Sequence, residues 1–356
     1  MRFSAHGPTP VSHDTGQTGG MSDSSIGRPR TTLKGISSRA WEHPADRGAL
    51  VALRKLKGFD TILRRFSAFL NERAVKMMLL GSAVRVSDRQ FPRLQRLYAD
   101  AAVALDVQEL PELYVQASPI FNAMTIGIDK PKIVLNSALI DLLDDEELRF
   151  VMGHELGHAL SGHALYRTLL QYLILFGSTL TSVPFGGIGL LALRTALGEW
   201  ARKAELSADR AGLLATQDVQ SAIRVNMKLA SGGHLPDLDQ TEFLAQAKDY
   251  EESDDLGDSI MKLILVNDAT HPMNVVRAAE IRRWVDSGAY GEILAGTYPR
   301  REDDKDAKIS DEAAAAAKSY ADRFQESEDS LAKLGRDIGG GLSDLGKWVG
   351  GRLRSE

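Results

Sequence analysis

Apolar residues recur at helical spacing after Asp144: Leu148, Val151, Met152, Leu156, Ala159 and Leu160 form one stripe. The acidic run Asp144-Asp145-Glu146-Glu147 precedes it, where the positive end of a helix dipole favours negative charge. The pattern predicts a long amphipathic helix in which Gly157 and Ala159 permit close approach of other elements. A second helical stretch runs from Thr195 to Ala215. Ahead of both, Leu113 to Gln116, Ala123 to Ile128 and Lys132 to Leu135 alternate or run apolar like strands, the last following the turn signal Asp129-Lys130-Pro131. A further helix is expected through Trp284, with Pro272 suited to its first turn.

Residues 168–193 carry no charge and are mostly Leu, Ile, Phe, Val and Gly. Pro184 and Gly186-Gly187 interrupt this stretch, so it reads as two apolar helical arms joined by a turn. Each arm is too short to span about 30 Å of hydrocarbon. The tip of the hairpin is buried in protein, paired with another subunit, or dipped into a membrane.

Residues 1–40 are rich in Gly, Ser, Thr and Pro without an apolar core and read as disordered, with no secretory signal and a second plausible start at Met21. Residues 41–299 are expected to form the folded domain. Residues 300–356 read as a charged, Ala-rich and then Gly-rich tail, whose last part is roughly amphipathic.

With 356 residues and 43% hydrophobic content, the chain can bury a sizeable core. It has no cysteine, which rules out disulfides and thiolate metal sites and suits a cytoplasmic setting. A net charge of −5 argues against a general nucleic-acid binder.

The chemistry concentrates in His154-Glu155-Leu156-Gly157-His158, an H-E-x-x-H pentapeptide inside the first helix. Histidines four residues apart leave the same helical face and can reach one zinc ion. Glu155, one step round, is placed to take a proton from water there. A catalytic zinc needs a third protein ligand and one open position. Glu205 in the second helix is the best candidate, and Asp209, one turn on, is placed to accept the other ring N–H of a zinc-bound histidine. The alternative is that Glu205 and Asp209 are surface residues pairing with Lys203 or Arg210.

Four segments together resemble a gluzincin metallopeptidase family, the one containing the bacterial HtpX proteases, the CAAX prenyl endopeptidases and the mitochondrial Oma-type proteases. They are V-M-G-H-E-L-G-H-x-x-x-x-H (Val151 to His163), E-x-x-A-D-R (Glu205 to Arg210), H-P-x-x-x-x-R (His271 to Arg277) and N-A-x-x-x-G (Asn122 to Gly127). The resemblance implies an α+β, mainly helical, zincin-type fold with a small antiparallel sheet beside the H-E-x-x-H helix. It implies one zinc ion per chain on His154, His158 and Glu205, with Glu155 as general base and Asp209 supporting the ligands. His271 is implied as a stabiliser of the transition state and Arg277 as an orienting residue. Asn122, Ala123 and Met124 would lie on an edge strand that holds the substrate.

The function implied is a zinc metalloendopeptidase acting on protein or peptide substrates, in protein quality control at or near a membrane. Peripheral or re-entrant membrane contact would run through 168–193 or the tail. The competing reading is a catalytically silent, membrane-associated interaction protein with a zinc site. His163 belongs to the family pattern, but nine residues beyond His154 it projects to roughly the opposite side of the helix. It is therefore expected to be structural.

Overall fold

The structure, a computed structural model, describes residues 29–55, 72–176, 186–252, 273–306 and 310–322, together with 59, 62–64 and 66. Two helices carry the architecture: α5 (Asp145–Leu160) and α7 (Gly186–Thr216). Ahead of α5 come α1 (Pro44–Lys55), α2 (Glu72–Ser82), α3 (Pro92–Ala104) and the short α4 (Ser137–Leu142). After it come α6 (Ala164–Phe176), then α7, α8 (Val219–Ser231), α9 (Gln240–Glu252), α10 (Asn274–Asp286), α11 (Ala289–Leu294) and α12 (residues 311–322).

Helix α5 begins where the acidic run predicts. The Asp144 side chain accepts from the Glu147 amide at 2.9 Å, and the Glu147 carboxylate accepts from the Asp144 amide at 2.9 Å, a reciprocal capping box. The expected amphipathic stripe is not what the fold uses, because every residue from Glu147 to His158 is buried. The charged members survive burial through partners. Glu147 accepts from Arg224 at 3.1 Å and Lys228 at 2.6 Å, while Arg149 reaches Glu146 at 2.6 Å and Asp100 at 3.2 Å.

Close packing fixes α7 against α5. A Cβ on Gly157 would stand 2.5 Å from the Ala211 Cβ, and one on Gly153 2.3 Å from the Ala215 Cβ. Glycine is thus required at the contact, and that contact brings Glu205 and Asp209 to the H-E-x-x-H face.

The sheet contains β1 (Val84–Arg85), β2 (Glu112–Gln116), β3 (Ala123–Ile126) and β4 (Lys132–Asn136) in the order β1-β2-β4-β3. It lies beside α5 as expected, but its pairing is mixed rather than wholly antiparallel. β3 and β4 form an antiparallel hairpin, β1 and β2 pair antiparallel, and β2 and β4 run parallel. The cause is the connection from β2 to β3, which leaves one strand's width open for β4 to fold back into. Among the described residues, β3 pairs on one side only.

The main core joins α3, α5, α7 and the sheet through residues such as Leu97, Leu135, Phe150, Met152 and Leu214. A second core, under α1, unites Leu53, Tyr166, Leu169, Leu173, Leu197, Trp200 and Tyr320. Leu169 and Leu173 from one arm of the apolar hairpin and Leu193 from the other enter it and are buried there. The turn between the arms lies outside the described residues, as does the amphipathic end of the tail. Among the described residues, no helix is long and apolar enough to cross a membrane.

Two expected boundaries move. Residues 1–28 fall outside the described residues, but 29–40 belong to the fold. Leu33 and Ile36 are buried, the Leu33 amide donates to the Ala104 carbonyl at 2.9 Å, and Arg30 reaches Glu146 at 2.6 Å. Part of the expected tail is likewise structural. Ala313 and Tyr320 are buried, and the Tyr320 hydroxyl donates to the Ala196 carbonyl at 2.6 Å. Both segments are too sparse in apolar residues for composition to reveal that a few of them are anchors.

Candidate metal centre

His154 and His158 leave one face of α5 with their rings edge-on, centroids 4.7 Å apart. The glycine contacts bring Glu205 of α7 opposite them. Its Oε2 lies 3.4 Å from His154 Nε2 and its Oε1 3.3 Å from His158 Nε2. All three side chains are buried, and their ligand atoms lie within 4.8 Å of one another. Donors about 2.0–2.1 Å from a tetrahedral ion stand about 3.3 Å apart, so this spacing fits a zinc-sized ion. The reading of Glu205 as a surface partner of Lys203 or Arg210 does not describe it: Lys203 pairs with Glu199, and Arg210 lies over the Trp284 ring.

The other nitrogen of each ring is held from behind. His154 Nδ1 lies 2.9 Å from Asp209 Oδ1. Arg277 of α10 grips Asp209 with two bonds, Nε to Oδ2 at 2.7 Å and Nη2 to Oδ1 at 2.6 Å. Burial pushes the Asp209 carboxyl up, but Arg277 and His154 together outweigh it and hold that carboxyl below its usual range. His158 Nδ1 faces His163 Nδ1 at 3.0 Å. With both Nδ1 atoms engaged, the two Nε2 atoms converge on Glu205. Arg167 of α6 also bonds Glu205, and Arg277 Nη1 stands 3.5 Å from it.

Glu155 is fully buried in the wall between α5 and the sheet, where the Thr125 hydroxyl of β3 donates to its Oε2 at 2.6 Å and lies 3.0 Å from its backbone carbonyl. A cleft of about 580 Å³ opens beside it, lined by Asn122, Ala123, Met124, His154, Glu155 and Arg277 along with apolar side chains. The edge strand and the H-E-x-x-H face therefore border one cavity. Ala123 and Met124 pair with Leu135 and Val134 of β4, and the Asn122 carbonyl accepts from the Asn136 amide at 3.0 Å. His271 falls outside the described residues.

His163 corrects the helical projection. Helix α5 stops at Leu160, and Gly162 at φ +70° turns the chain back, so His163 is buried against His158 rather than facing away. No sequence signal singles out Thr125, Arg167 or Asp46, which bonds His163, as part of the site. Gly162, a turn residue directly after the helix, is the sequence signal that the projection should stop there.

The sequence model of Peptidase family M48 matches residues 88–285. A plastoglobule-localized metallopeptidase 48 of Arabidopsis thaliana, chloroplastic, is 35% identical over 272 residues, covering 75% of this chain and 78% of that protein. A protease HtpX of Xanthomonas axonopodis pv. citri is 24% identical over 67% of this chain and 88% of its own length. A protease HtpX homolog of Tropheryma whipplei is 34% identical over 23% of this chain and 28% of its own. No solved structure matches. The matched span holds both histidines of the pentapeptide, Glu205 and the Arg277 that braces them, and the chain belongs to peptidase family M48, the metallopeptidases these relatives represent.

Proposed function

We propose that the chain is a zinc-dependent endopeptidase with His154, His158 and Glu205 as metal ligands and Glu155 as general base. The observation that carries this is the convergence of His154 Nε2 and His158 Nε2 on Glu205, with Glu155 on the wall of the same cleft. His154, His158 and Glu205 would hold a zinc ion there, which would supply an acidified water and a Lewis acid for the carbonyl.

The chain's own groups do the rest. Thr125 pins one Glu155 oxygen and so fixes the plane of the carboxylate that takes the proton from the attacking water and passes it to the leaving amine. Arg277 holds Asp209, and Asp209 holds His154, keeping the ring in the orientation that presents Nε2. β3 is the last strand in the described sheet order and borders the cleft, a position that suits an extended peptide laid along Asn122 to Met124.

A purely structural metal site normally closes with a fourth protein ligand. Among the described residues, the histidine and carboxylate group that fits an ion has three members.

The test is zinc content per chain beside cleavage of unfolded casein, for wild type and Glu155→Gln. One zinc in both, with cleavage only in wild type, is expected. Near-normal cleavage by the variant removes Glu155 from the base role, and a wild type that takes up no zinc overturns the assignment.

A further inference from the structure

We propose that Asp46, acting through His163, is a positioning residue for the metal ligand His158, selecting the ring tautomer that presents Nε2 to the ion. The inference rests on the reading of His154, His158 and Glu205 as ligands, and it adds a residue from a helix outside the span matched by the family.

The contacts form one buried line. His158 Nδ1 lies 3.0 Å from His163 Nδ1, and His163 Nε2 lies 3.0 Å from Asp46 Oδ2. Asp46 is held in turn: Trp200 Nε1 donates to Oδ1 at 2.9 Å and Ser207 Oγ to Oδ2 at 2.6 Å. Asp46 and His163 are each 1% exposed, so water does not compete.

The proton positions follow from donor chemistry. A carboxylate only accepts, so the proton between Asp46 and His163 sits on His163 Nε2. Within the proposal His163 is the neutral imidazole, which carries one N–H and so leaves its Nδ1 as an acceptor. The facing His158 Nδ1 must then donate, and a neutral His158 protonated at Nδ1 has its lone pair at Nε2, on the side of Glu205. Reversing any step reverses the next. If His163 donated from Nδ1, His158 would carry its proton at Nε2, the atom that must bind the ion.

Metal-binding histidines usually give their second N–H directly to a carboxylate or carbonyl. His154 does so, to Asp209. At His158 an imidazole is inserted between ring and carboxylate, and the carboxylate comes from α1.

The alternative is that Asp46 merely ties α1 to α7 through Trp200 and Ser207. That role would change stability without changing metal affinity, so affinity is the readout. Zinc affinity of the full chain is measured by competition with a chromogenic chelator for wild type, Asp46→Asn, His163→Ala, the double variant, and Leu173→Ala as a core control in the same cluster. Asp46→Asn and His163→Ala are each expected to weaken zinc binding about 10- to 100-fold. The double variant is expected to bind no more weakly than His163→Ala, because Asp46 acts through that ring. Leu173→Ala should lower the thermal midpoint and leave zinc affinity unchanged.

Should Asp46→Asn fail to fold, Ser207→Ala, which removes one bond to Oδ2, carries the same test with a weakening of at least about twofold. Long-range ¹⁵N–¹H spectra should place the His163 proton on Nε2. Wild-type affinity in Asp46→Asn overturns the proposal, as do multiplicative effects in the double variant or a His163 proton on Nδ1. Failure of wild type itself to bind zinc is a separate outcome, which overturns the ligand assignment and this proposal with it.

Discussion

His154 and His158 share Glu205 yet are pushed in opposite directions. Burial disfavours charge on both rings. At His154 the Asp209 and Glu205 carboxylates outweigh burial and lift the imidazole to about 9. At His158 burial and the Arg167 cation act together and drive the ring well below its ordinary value. An ion bound as proposed would need both rings neutral, so its uptake would displace a proton chiefly from His154. His43, away from the ligands, makes a cleaner pH probe. Burial and then the Arg210 cation lower its pKa from 6.5 to about 4, against the pull of Asp46. A histidine depressed in the folded state contributes stability that is complete above pH 6.5 and is lost as pH falls towards 4. Urea midpoints between pH 7 and 4 should therefore fall, and His43→Gln should flatten that slope; an unchanged slope would show that another group governs the acid limb. The pentapeptide is legible in the sequence because i, i+4 spacing is a local property of a helix. His163 is not, since its place depends on where α5 stops and how Gly162 turns the chain. Asp46 is invisible for a different reason: nothing near it in sequence marks it, and only the packing of α1 on α7 brings it to His163.

At the scale of elements, the site is a consequence of how closely α5 and α7 approach. Gly157→Ala sets two effects against each other. Replacing a helical glycine gains about 0.5–1 kcal/mol, while forcing a methyl group to 2.5 Å from the Ala211 Cβ costs about 1–3 kcal/mol, because neither backbone can yield alone. The clash wins, and chemical denaturation should show a net loss on the order of 1 kcal/mol. A stabilised variant would mean that the helices separate freely. The acidic run and the apolar spacing make α5 readable in advance, while α7 is readable only from Thr195 on, because its first turns lie within the uncharged stretch. Burial of α5 on all sides does not follow from its amphipathic pattern, because Glu147 and Arg149 are buried only through partners on α3 and α8. The parallel pair β2–β4 is equally out of reach of local pattern: strand period reveals which residues face the core, and pairing order is decided by a loop that skips a place.

Across the whole molecule, the two helices that carry the candidate site are clasped by segments that composition assigns to the termini. Residues 29–40 close one end of the main core, and α1 with α12 covers the other core, where Gly48 admits the backbone at Ala317 and Lys203 lies over the Tyr320 ring. Helical class and the gathering of His154, His158 and Glu205 are readable from sequence; the boundaries are not, because a few anchors such as Leu33 and Tyr320 decide them. The arginines around Glu205 have a consequence for how the protein lives with its metal. Arg167 and Arg277 supply countercharge to that buried carboxylate from within the chain. Small zinc domains fold on metal-binding energy alone; this chain has its own cations in place and two apolar cores besides. Chelation should abolish activity while leaving the far-UV circular dichroism nearly unchanged, with activity restored when zinc is returned. Cooperative loss of helix on chelation would contradict this. On that outcome folding and activation would be separate events, and the supply of an ion would decide when a finished protein begins to cut.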